Sequence, residues 1–579
     1  MRLALVALFC ALAPGQTGPN VVTQRVDSQR SGVNVLEKEL NQQSVKSRFG
    51  KLWTLFSDAK IMAQPLYVSN MKSGTCPSGC NTIIFCSMKG TVYAYKADQK
   101  PTTINDTLVW ARYLGDPRPG GGDIDAWATD DPWWGILGTP AIDLANNLLY
   151  VVAWNPDQNY RLYALSLLNG QVAKGPVVVQ GSAGGESFVL STPNWKQQRK
   201  QRAGLLLDHG TLWVAFGGDN PRVQSGWLFV YDAATLNRKA VWSPTPGTNN
   251  GGIWMSGNGP LADDVGDVYL MTGNGEFNPS SQRFGDSLVK LSLSTSGGTT
   301  TVNVADSFTP CNQSFLNAPN QDLDLGSSSP IFLPGNLIAG GGKDGIIYVM
   351  NRGKLGGFQP GAPANPPQLP VCSDTPLVLQ RVNATEGHIH GAPVFWQGPN
   401  GAVWVYVMGE GDNLKAFPFK NGRFLTGAAD VKKSAWRPPH PAPATCAGTP
   451  DNWMPGGILS VSSDANRQGS GIVWALVPAN GDANSYRGVK GMLMALNAEN
   501  VGHELWRSQG TDSAVDTPDS FGLLSRFCPP TVAHGKVFVA TAGDKEPLKR
   551  YGGFGQPPPC GPRPTQFPQN FGLVVYGLR

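Results

Sequence analysis

The tetrapeptide Val92-Tyr93-Ala94-Tyr95 is the first copy of a pattern that recurs along the chain: apolar, large apolar or Lys, small or apolar, large apolar. Seven further copies are Leu162-Tyr163-Ala164-Leu165, Leu228-Phe229-Val230-Tyr231, Leu288-Val289-Lys290-Leu291, Ile347-Tyr348-Val349-Met350, Leu414-Lys415-Ala416-Phe417, Leu493-Met494-Ala495-Leu496 and Val575-Tyr576-Gly577-Leu578. Successive copies begin 59 to 82 residues apart. Short strands and turns repeated at this length indicate four-stranded units that cover one another's apolar faces. The sequence therefore predicts an all-β fold, an eight-bladed β-propeller of four-stranded antiparallel blades.

A second element precedes several of these copies and consists of small residues, a Pro and then apolar residues. It occurs as Ala63-Gln64-Pro65-Leu66, Gly138-Thr139-Pro140-Ala141, Ser328-Ser329-Pro330-Ile331 and Gly391-Ala392-Pro393-Val394. We interpret it as the start of each innermost strand. The loops just ahead of it are then expected at the mouth of the central channel. A tandem of β-sandwiches is the structural alternative.

The composition excludes several classes of protein. Gly (71) and Pro (47) make up about one fifth of the 579 residues, and both disfavour helix interiors. Lys and Arg (46) barely outnumber Asp and Glu (41), which leaves a scattered net charge of +5. A long all-α enzyme and a nucleic-acid-binding protein are therefore not expected.

The N-terminus has the pattern of a signal peptide. One basic residue, Arg2, precedes the apolar run from Leu3 to Ala13, which is too short to cross a bilayer. We expect a signal peptide over residues 1–18, a single propeller domain over 19–579, and a secreted or periplasmic mature protein. No other stretch reaches 18 consecutive apolar residues, so no membrane span is expected.

Eight cysteines remain after the signal peptide, and an even number in an exported chain favours disulfides. We expect a local pair among Cys76, Cys80 and Cys86. Cys528 and Cys560 both fall in the last blade, so they are candidates to pair with each other.

Three motifs over about 80 residues resemble the quinoprotein alcohol dehydrogenases, which use pyrroloquinoline quinone (PQQ). The first is the run from Val268 to Asn274, VYLMTGN, followed by Asn278-Pro279 and Phe284-Gly285-Asp286. The second is Asp322-Leu323-Asp324, and the third runs from Lys343 to Arg352, KDGIIYVMNR. Within this superfamily the chain is most similar to secreted PQQ-repeat-like propeller proteins.

The resemblance implies an exported oxidoreductase that oxidises an alcohol or sugar hydroxyl with PQQ and calcium. It places Asn274 and Asp324 at the calcium ion, with Asn274 also at the cofactor and Asp324 also as the catalytic base. Lys343 takes the position of the cation beside the quinone oxygens. Oxygen ligands suit calcium, and a carboxylate can accept the hydroxyl proton. The electron acceptor is not implied by any motif.

The chain departs from the family pattern at the cofactor. No two cysteines are adjacent, whereas the family has a disulfide between neighbouring cysteines on the quinone ring. The stacking Trp of the family falls at Ser256 by spacing, and Trp254, the nearest indole, is the residue expected to bind the cofactor over its ring face. The calcium-binding Glu has no clear match, with only Asp219 and Asn220 nearby. These departures favour the alternative function, a non-catalytic propeller that binds a protein or glycan at its mouth.

An alternative metal site is offered by His388 and His390. Positions i and i+2 of a strand share one face, so both imidazoles could bind a metal together with Glu410 or Asp412. Polar residues that complete the turn before Gly391 are the competing interpretation. No hydrolase, dinucleotide or phosphate-loop motif occurs in a matching context.

Overall fold

Eight sheets of four or five strands follow one another along the chain, which confirms the predicted eight-bladed propeller. The structure is a computed structural model that describes residues 18–103, 105–119, 133–155, 157, 159–188, 199–218, 225–319, 321–359, 378–438, 453–483, 489–510, 515–544 and 570–579. Three Pro-rich stretches of the sequence, 357–370, 437–450 and 556–568, fall largely outside these residues.

Blades 1 to 4 each contribute four consecutive strands, numbered 1 to 4 from the axis outward. Blade 1 comprises Leu66–Ser73, Cys76–Cys86, Thr91–Lys96 and Leu108–Tyr113. Blade 2 comprises Ala141–Asp143, Leu148–Trp154, Tyr160–Ser166 and Val172–Val178. Blade 3 comprises Leu206–Asp208, Thr211–Phe216, Trp227–Asp232 and Arg238–Trp242. Blade 4 comprises Leu261–Ala262, Val268–Met271, Leu288–Ser296 and Thr299–Thr309, with Gly357–Phe358 added at its outer edge.

The remaining blades repeat this order. Blade 5 comprises Ile331–Leu333, Leu337–Gly341, Ile346–Asn351 and Val378–Asn383. Blade 6 comprises Val394–Gln397, Val403–Val407 and Lys415–Lys420, the last paired with both Arg423–Phe424 and Lys432–Lys433. Blade 7 comprises Ile458–Ser462, Ile472–Pro478, Gly491–Asn497 and Glu504–Arg507. Blade 8 comprises Thr531–Ala533, Lys536–Ala540, Gly572–Leu578 and, from the N-terminal region, Phe49–Phe56.

Helical and minor elements are few. The described helices are Gln42–Arg48 and Gln313–Leu316, with single turns at Pro279–Ser281, Leu325–Ser327 and Pro399–Gly401. Two-stranded pairs are Arg118–Pro119 with Trp133–Trp134, Ser182–Ala183 with Glu186–Ser187, and Phe277–Asn278 with Arg283–Phe284. Within the described part of the chain, no helix has the length and apolarity needed to span a membrane.

Every copy of the repeated tetrapeptide lies in strand 3 of its blade, as predicted. Strand 3 is apolar on both faces because each blade packs between two others. In Thr91–Lys96, for example, only Lys96 is not fully buried. The small-residue and Pro elements end where strand 1 begins, as at Val394, and strand 1 of one blade contacts strand 1 of the next around the axis.

The ring closes through chain termini that lie far apart in sequence. Phe49–Phe56 pairs antiparallel with Gly572–Leu578 and so supplies the outer strand of the last blade. The tetrapeptide beginning at Val575 therefore lies at the closure, as predicted.

Residues 18–40, here called the N-terminal plug, run inside the ring, a feature that the sequence did not indicate. Val21 pairs with Tyr67 in strand 1 of blade 1, and Val33–Asn34 pairs with strand 1 of blade 7, two blades away around the ring. Glu37 bonds the Gly535 amide in the turn between strands 1 and 2 of blade 8. The plug therefore occupies the central channel and leaves it at the end where strands 1 and 2 are joined.

Two fully buried arginines hold the plug. The Arg25 guanidinium donates to the carbonyls of Ala392, Pro393 and Leu459, on blades 6 and 7. On the opposite side, Arg30 donates to five acceptors: Pro260, Gln24, Gly204 and Leu205 carbonyls and the Thr23 hydroxyl. Both side chains are at most 1% exposed. Burial lowers the pKa of Arg25 to about 10 and that of Arg30 to about 9, so both are cationic at neutral pH.

The cysteines follow the prediction in part. Cys76 and Cys80 form the expected local disulfide, Cys86 is free and buried, and Cys311 is also disulfide-bonded. The predicted pair between Cys528 and Cys560 is wrong, because Cys528 is a free thiol. It is 1% exposed in the core beneath strand 1 of the last blade, and its Sγ contacts the Ala63 carbonyl at 3.4 Å.

Candidate functional site

Two kinds of loop meet at one end of the propeller, here called the mouth. Strand 1 begins and strand 2 ends at the same end of an antiparallel blade, so the connection before strand 1 and the turn after strand 2 lie together. All of the predicted site residues are on such loops: Trp254 and Asn274 of blade 4, Asp324 and Lys343 of blade 5, and His388, His390 and Glu410 of blade 6. The plug arginines bond carbonyls at the first residues of these strands, so the plug forms the floor of the mouth.

Asp324 joins two of the other predicted residues. Its Oδ1 accepts the backbone N–H of Asn274 at 2.9 Å, and its Oδ2 lies 2.7 Å from Lys343 Nζ. Lys343 also reaches the exposed Asp322 carboxylate at 2.9 Å. The structure therefore brings Asn274, Asp324 and Lys343 together from three separate loops.

The ion pair controls protonation at this point. Burial acts to raise the pKa of Asp324, but Lys343 and the Asn274 amide outweigh it and hold the pKa below its ordinary value. For Lys343, burial acts to lower the pKa, and the two carboxylates overcome this and raise it. Both groups are therefore charged at neutral pH, in a position where each is mostly shielded from water.

The Asn274 side chain carries an unused oxygen. Its Oδ1 is buried and has no hydrogen-bond partner among the residues that the structure describes. Asn155, which follows strand 2 of blade 2, is a counterpart whose amide is fully engaged: it donates to the Leu114 carbonyl and accepts from Tyr163. Asn274 is tied to Asp324 through its backbone N–H, and its amide oxygen together with the Asp324 and Asp322 carboxylates supplies the kind of hard oxygen donor that Ca²⁺ prefers. These residues fit a hard cation.

Trp254 packs closely under the same site. It is 7% exposed, and a side chain at Gly273 would collide with both the indole and Asp324 Oδ1. The charged groups of Lys200 and Arg202 lie 5.5 and 5.2 Å from its ring centre. Lys200 and Arg202 supply positive charge that suits an anionic cofactor such as PQQ, but the indole ring itself is largely covered.

Asp286 is a buried acid directly behind the site. Its carboxyl is fully buried and, within the described part of the chain, accepts only from the Leu325 amide at 3.2 Å and the Gln313 amide at 3.4 Å. Burial, reinforced by the negative charge of Asp324, raises its pKa well above the ordinary value. The residue belonged to a quoted motif, Phe284-Gly285-Asp286, but no role had been predicted for it.

The histidines form a separate cluster with one carboxyl group. His390 Nε2 lies 2.9 Å from Glu410 Oε1, and His388 Nδ1 lies 3.2 Å from Glu410 Oε2. Both imidazoles lie in the loop ahead of Val394, not on a strand as the spacing predicted, and they converge because the loop wraps the Glu410 turn. Asp412 is instead engaged in an ion pair with Lys415 at 2.7 Å.

Burial dominates the protonation of this cluster. It raises the pKa of Glu410 to about 8 and lowers that of His390 to about 3, where the positive charges of Lys343 and Arg202 act in the same direction. The pKa of His388 is lowered as well, again chiefly by burial. Both imidazoles are therefore neutral at physiological pH.

Sequence reasoning missed Arg202 and Phe527, which complete the mouth. The Arg202 guanidinium lies 4.9 Å from the Phe527 ring centre, and the His390 ring lies 5.7 Å from that of Phe527. Neither residue belongs to a motif; each simply precedes strand 1 of its blade. Asp219 and Asn220, the residues near the expected position of the calcium-binding Glu, lie outside the described residues.

Comparisons with known proteins were made by sequence and by structure. No protein-family model matches the chain, and no curated protein matches it in sequence. Solved structures do match. The quinohemoprotein alcohol dehydrogenase of Comamonas testosteroni is 16% identical with a TM-score of 0.52, covering 96% of this chain and 80% of that one. The enzyme ADHIIG of Pseudomonas putida HK5, also a quinohemoprotein alcohol dehydrogenase, is 13% identical with a TM-score of 0.53, covering 97% and 80%.

A europium-containing methanol dehydrogenase is 13% identical with a TM-score of 0.56, covering 97% of this chain and 99% of that one. Together, fold and site define an eight-bladed propeller with a cluster of buried charges over a plugged channel. At these identities the likeness establishes a shared fold. The chain thus has the propeller fold of the quinoprotein alcohol dehydrogenases, which confirms the resemblance at the level of architecture.

Proposed function

We propose that the chain is an exported quinoprotein-like oxidoreductase, which oxidises an alcohol or sugar hydroxyl with PQQ and calcium at the mouth. The observation that carries the proposal is the arrangement around Asp324, whose two oxygens are held by Asn274 and Lys343. The shared fold with alcohol dehydrogenases supports it. The proposal includes removal of residues 1–18 as a signal peptide.

In this proposal, Asn274 Oδ1 and the Asp324 carboxylate hold the calcium ion. Asp324, kept ionised by Lys343, accepts the proton of the substrate hydroxyl, and a positioned base of this kind accelerates a reaction by about 10²–10⁴-fold. Lys343 supplies a fixed positive charge within a site shielded from water. PQQ, when bound, would supply the hydride acceptor that side chains lack.

The second candidate function is a non-catalytic propeller that binds a protein or glycan at its mouth. The burial of Trp254 favours it, because a ring that is 7% exposed offers little surface for stacking. The unpartnered Asn274 Oδ1 favours the enzyme instead, because a purely structural turn gains nothing from an unsatisfied buried oxygen.

The deciding experiment adds PQQ and Ca²⁺ to the purified mature protein. We expect a saturable quinone absorption spectrum and dye reduction that depends on added alcohol or sugar. Asn274→Ala should raise the Ca²⁺ concentration needed for PQQ binding, whereas Asn155→Ala should leave it unchanged because that amide is already engaged. Absence of PQQ binding by the folded wild-type protein would select the non-catalytic function.

A further inference from the structure

We propose that His388, His390 and Glu410 form a binding site for a divalent transition-metal ion of the Zn²⁺ type. This site is distinct from the oxygen-rich group around Asn274 and Asp324, and the proposal does not depend on quinone chemistry.

The ligand atoms are already gathered. One nitrogen from each imidazole and one carboxylate oxygen all lie within 4.8 Å of one another. Tetrahedral zinc with bonds of about 2.0–2.1 Å separates its ligand atoms by roughly 3.4 Å. The two nitrogen–oxygen distances, 2.9 and 3.2 Å, run to different oxygens of Glu410, so small movements of the imidazoles and the carboxylate would bring one oxygen and both nitrogens to this spacing.

The surroundings hold these groups in place and leave them little else to bind. His390 and Glu410 are 3% and 4% exposed, and among the described residues the Glu410 carboxyl contacts no side chain other than the two imidazoles. The Glu410 N–H donates to the His388 carbonyl at 2.9 Å, which ties the two loops of blade 6 together. The His390 ring packs on Phe527. A buried carboxyl without a cationic side chain is a favourable position for a metal ion.

The donor types select the metal. Two imidazoles and one carboxylate match the three protein ligands of catalytic zinc sites, which keep the fourth position for water or substrate. Ca²⁺ requires six to eight oxygen ligands, which this cluster cannot supply. The more exposed edge lies at His388, whose side chain is 32% exposed, so the open position is reached from the mouth.

The test is a titration of the full mature protein, after treatment with a chelator, with Co²⁺ and Zn²⁺ and without PQQ or alcohol. We expect one equivalent of Co²⁺ to bind with the visible absorption of a low-coordinate site, to be displaced by Zn²⁺ and to be retained in excess Ca²⁺. His388→Ala and Glu410→Gln should weaken binding by more than about 100-fold, beyond the effect of losing an outer partner.

His209→Ala is the matched control, since it removes a surface imidazole that is 2.7 Å from Asp208 and should leave the titration unchanged. If His390→Ala fails to fold, the His388→Ala variant still tests the proposal, because His388 is partly exposed. The proposal is overturned if the folded wild-type protein binds no Co²⁺, if His388→Ala binds it equally well, or if equimolar Ca²⁺ displaces it. The titration contains no quinone, so its result does not depend on whether the oxidoreductase proposal is correct.

Discussion

The plug and the mouth bury charge along the same axis but in opposite ways. In the plug, Arg30 spreads its donors over backbone carbonyls from several blades, and every nitrogen is engaged. In the mouth, charged side chains face one another, as in the Lys343–Asp324 pair, and Asn274 Oδ1 has no partner among the described residues. Arg25 Nε of the plug also lacks a partner there, so what distinguishes the mouth is that its orphaned atom lies on a residue bonded to a buried ion pair.

Burial of a charged side chain is therefore not by itself evidence of a functional site. Arg25 and Arg30 are more deeply buried than Lys343, yet they have structural partners only. We therefore expect substitutions in the plug to affect stability and those in the mouth to affect activity.

The largest effect is expected from Arg30→Ala. It removes the Arg30 donor from the carbonyls of Gln24, Gly204 and Pro260 inside the ring. Unsatisfied buried acceptors are destabilising by about 1–3 kcal/mol each, so we expect a total of roughly 3 kcal/mol or more. The urea midpoint measures it. Arg467→Ala, at a side chain that is 71% exposed, should change stability by less than about 1 kcal/mol. Equal shifts in the two variants would contradict the structural role of the plug.

Asp324→Asn tests the role of the mouth in activity. The amide keeps the shape but cannot act as a base, so turnover of the protein loaded with PQQ and Ca²⁺ should fall by about 10²–10⁴-fold while the quinone spectrum persists. Asp267→Asn is the control, because it breaks a similar pair with Lys290, at 2.8 Å, at the opposite end of the propeller. Comparable losses in both variants would remove Asp324 from the proposed chemistry.

Lys343→Met tests the cation of the mouth. Removing one preorganised charge typically lowers turnover by about 10²–10³-fold, and Lys343→Arg should restore part of it because the charge remains. Steady-state kinetics on the loaded protein measure both. A Met variant with wild-type turnover would show that the ion pair with Asp324 only positions the loop.

The smallest effect is a pH dependence from Asp286. Its raised pKa means that the folded state keeps a proton that the unfolded chain releases, so this group makes stability fall as the pH rises above the ordinary carboxyl pKa. The slope is at most about 1.4 kcal/mol per pH unit. Asp286→Asn should flatten this part of the stability profile in urea unfolding between pH values on either side of neutrality. An unchanged profile would place the proton elsewhere.

Local pattern was sufficient to predict much of the fold. The tetrapeptides predicted strand 3 of all eight blades because that strand is buried on both faces, and Pro marked the start of strand 1. The site motifs lie just before strand 1 or just after strand 2, so the same local pattern assigned their residues to loops at one end of the propeller. The Cys528 pairing failed because packing beneath the first strand, invisible in the spacing, keeps that thiol in the core.

By itself, then, the sequence determined the number of blades, the position of each repeated strand and the end at which Asn274, Asp324 and Lys343 would lie, since each depends on residues close together in the chain. Only the tertiary structure decided what those loops contact. Arg25 meets the Ala392 carbonyl across 367 positions, and Asn274 meets Asp324 across 50. Such contacts arise when the ring closes and brings distant blades to a common axis, and no local pattern encodes them.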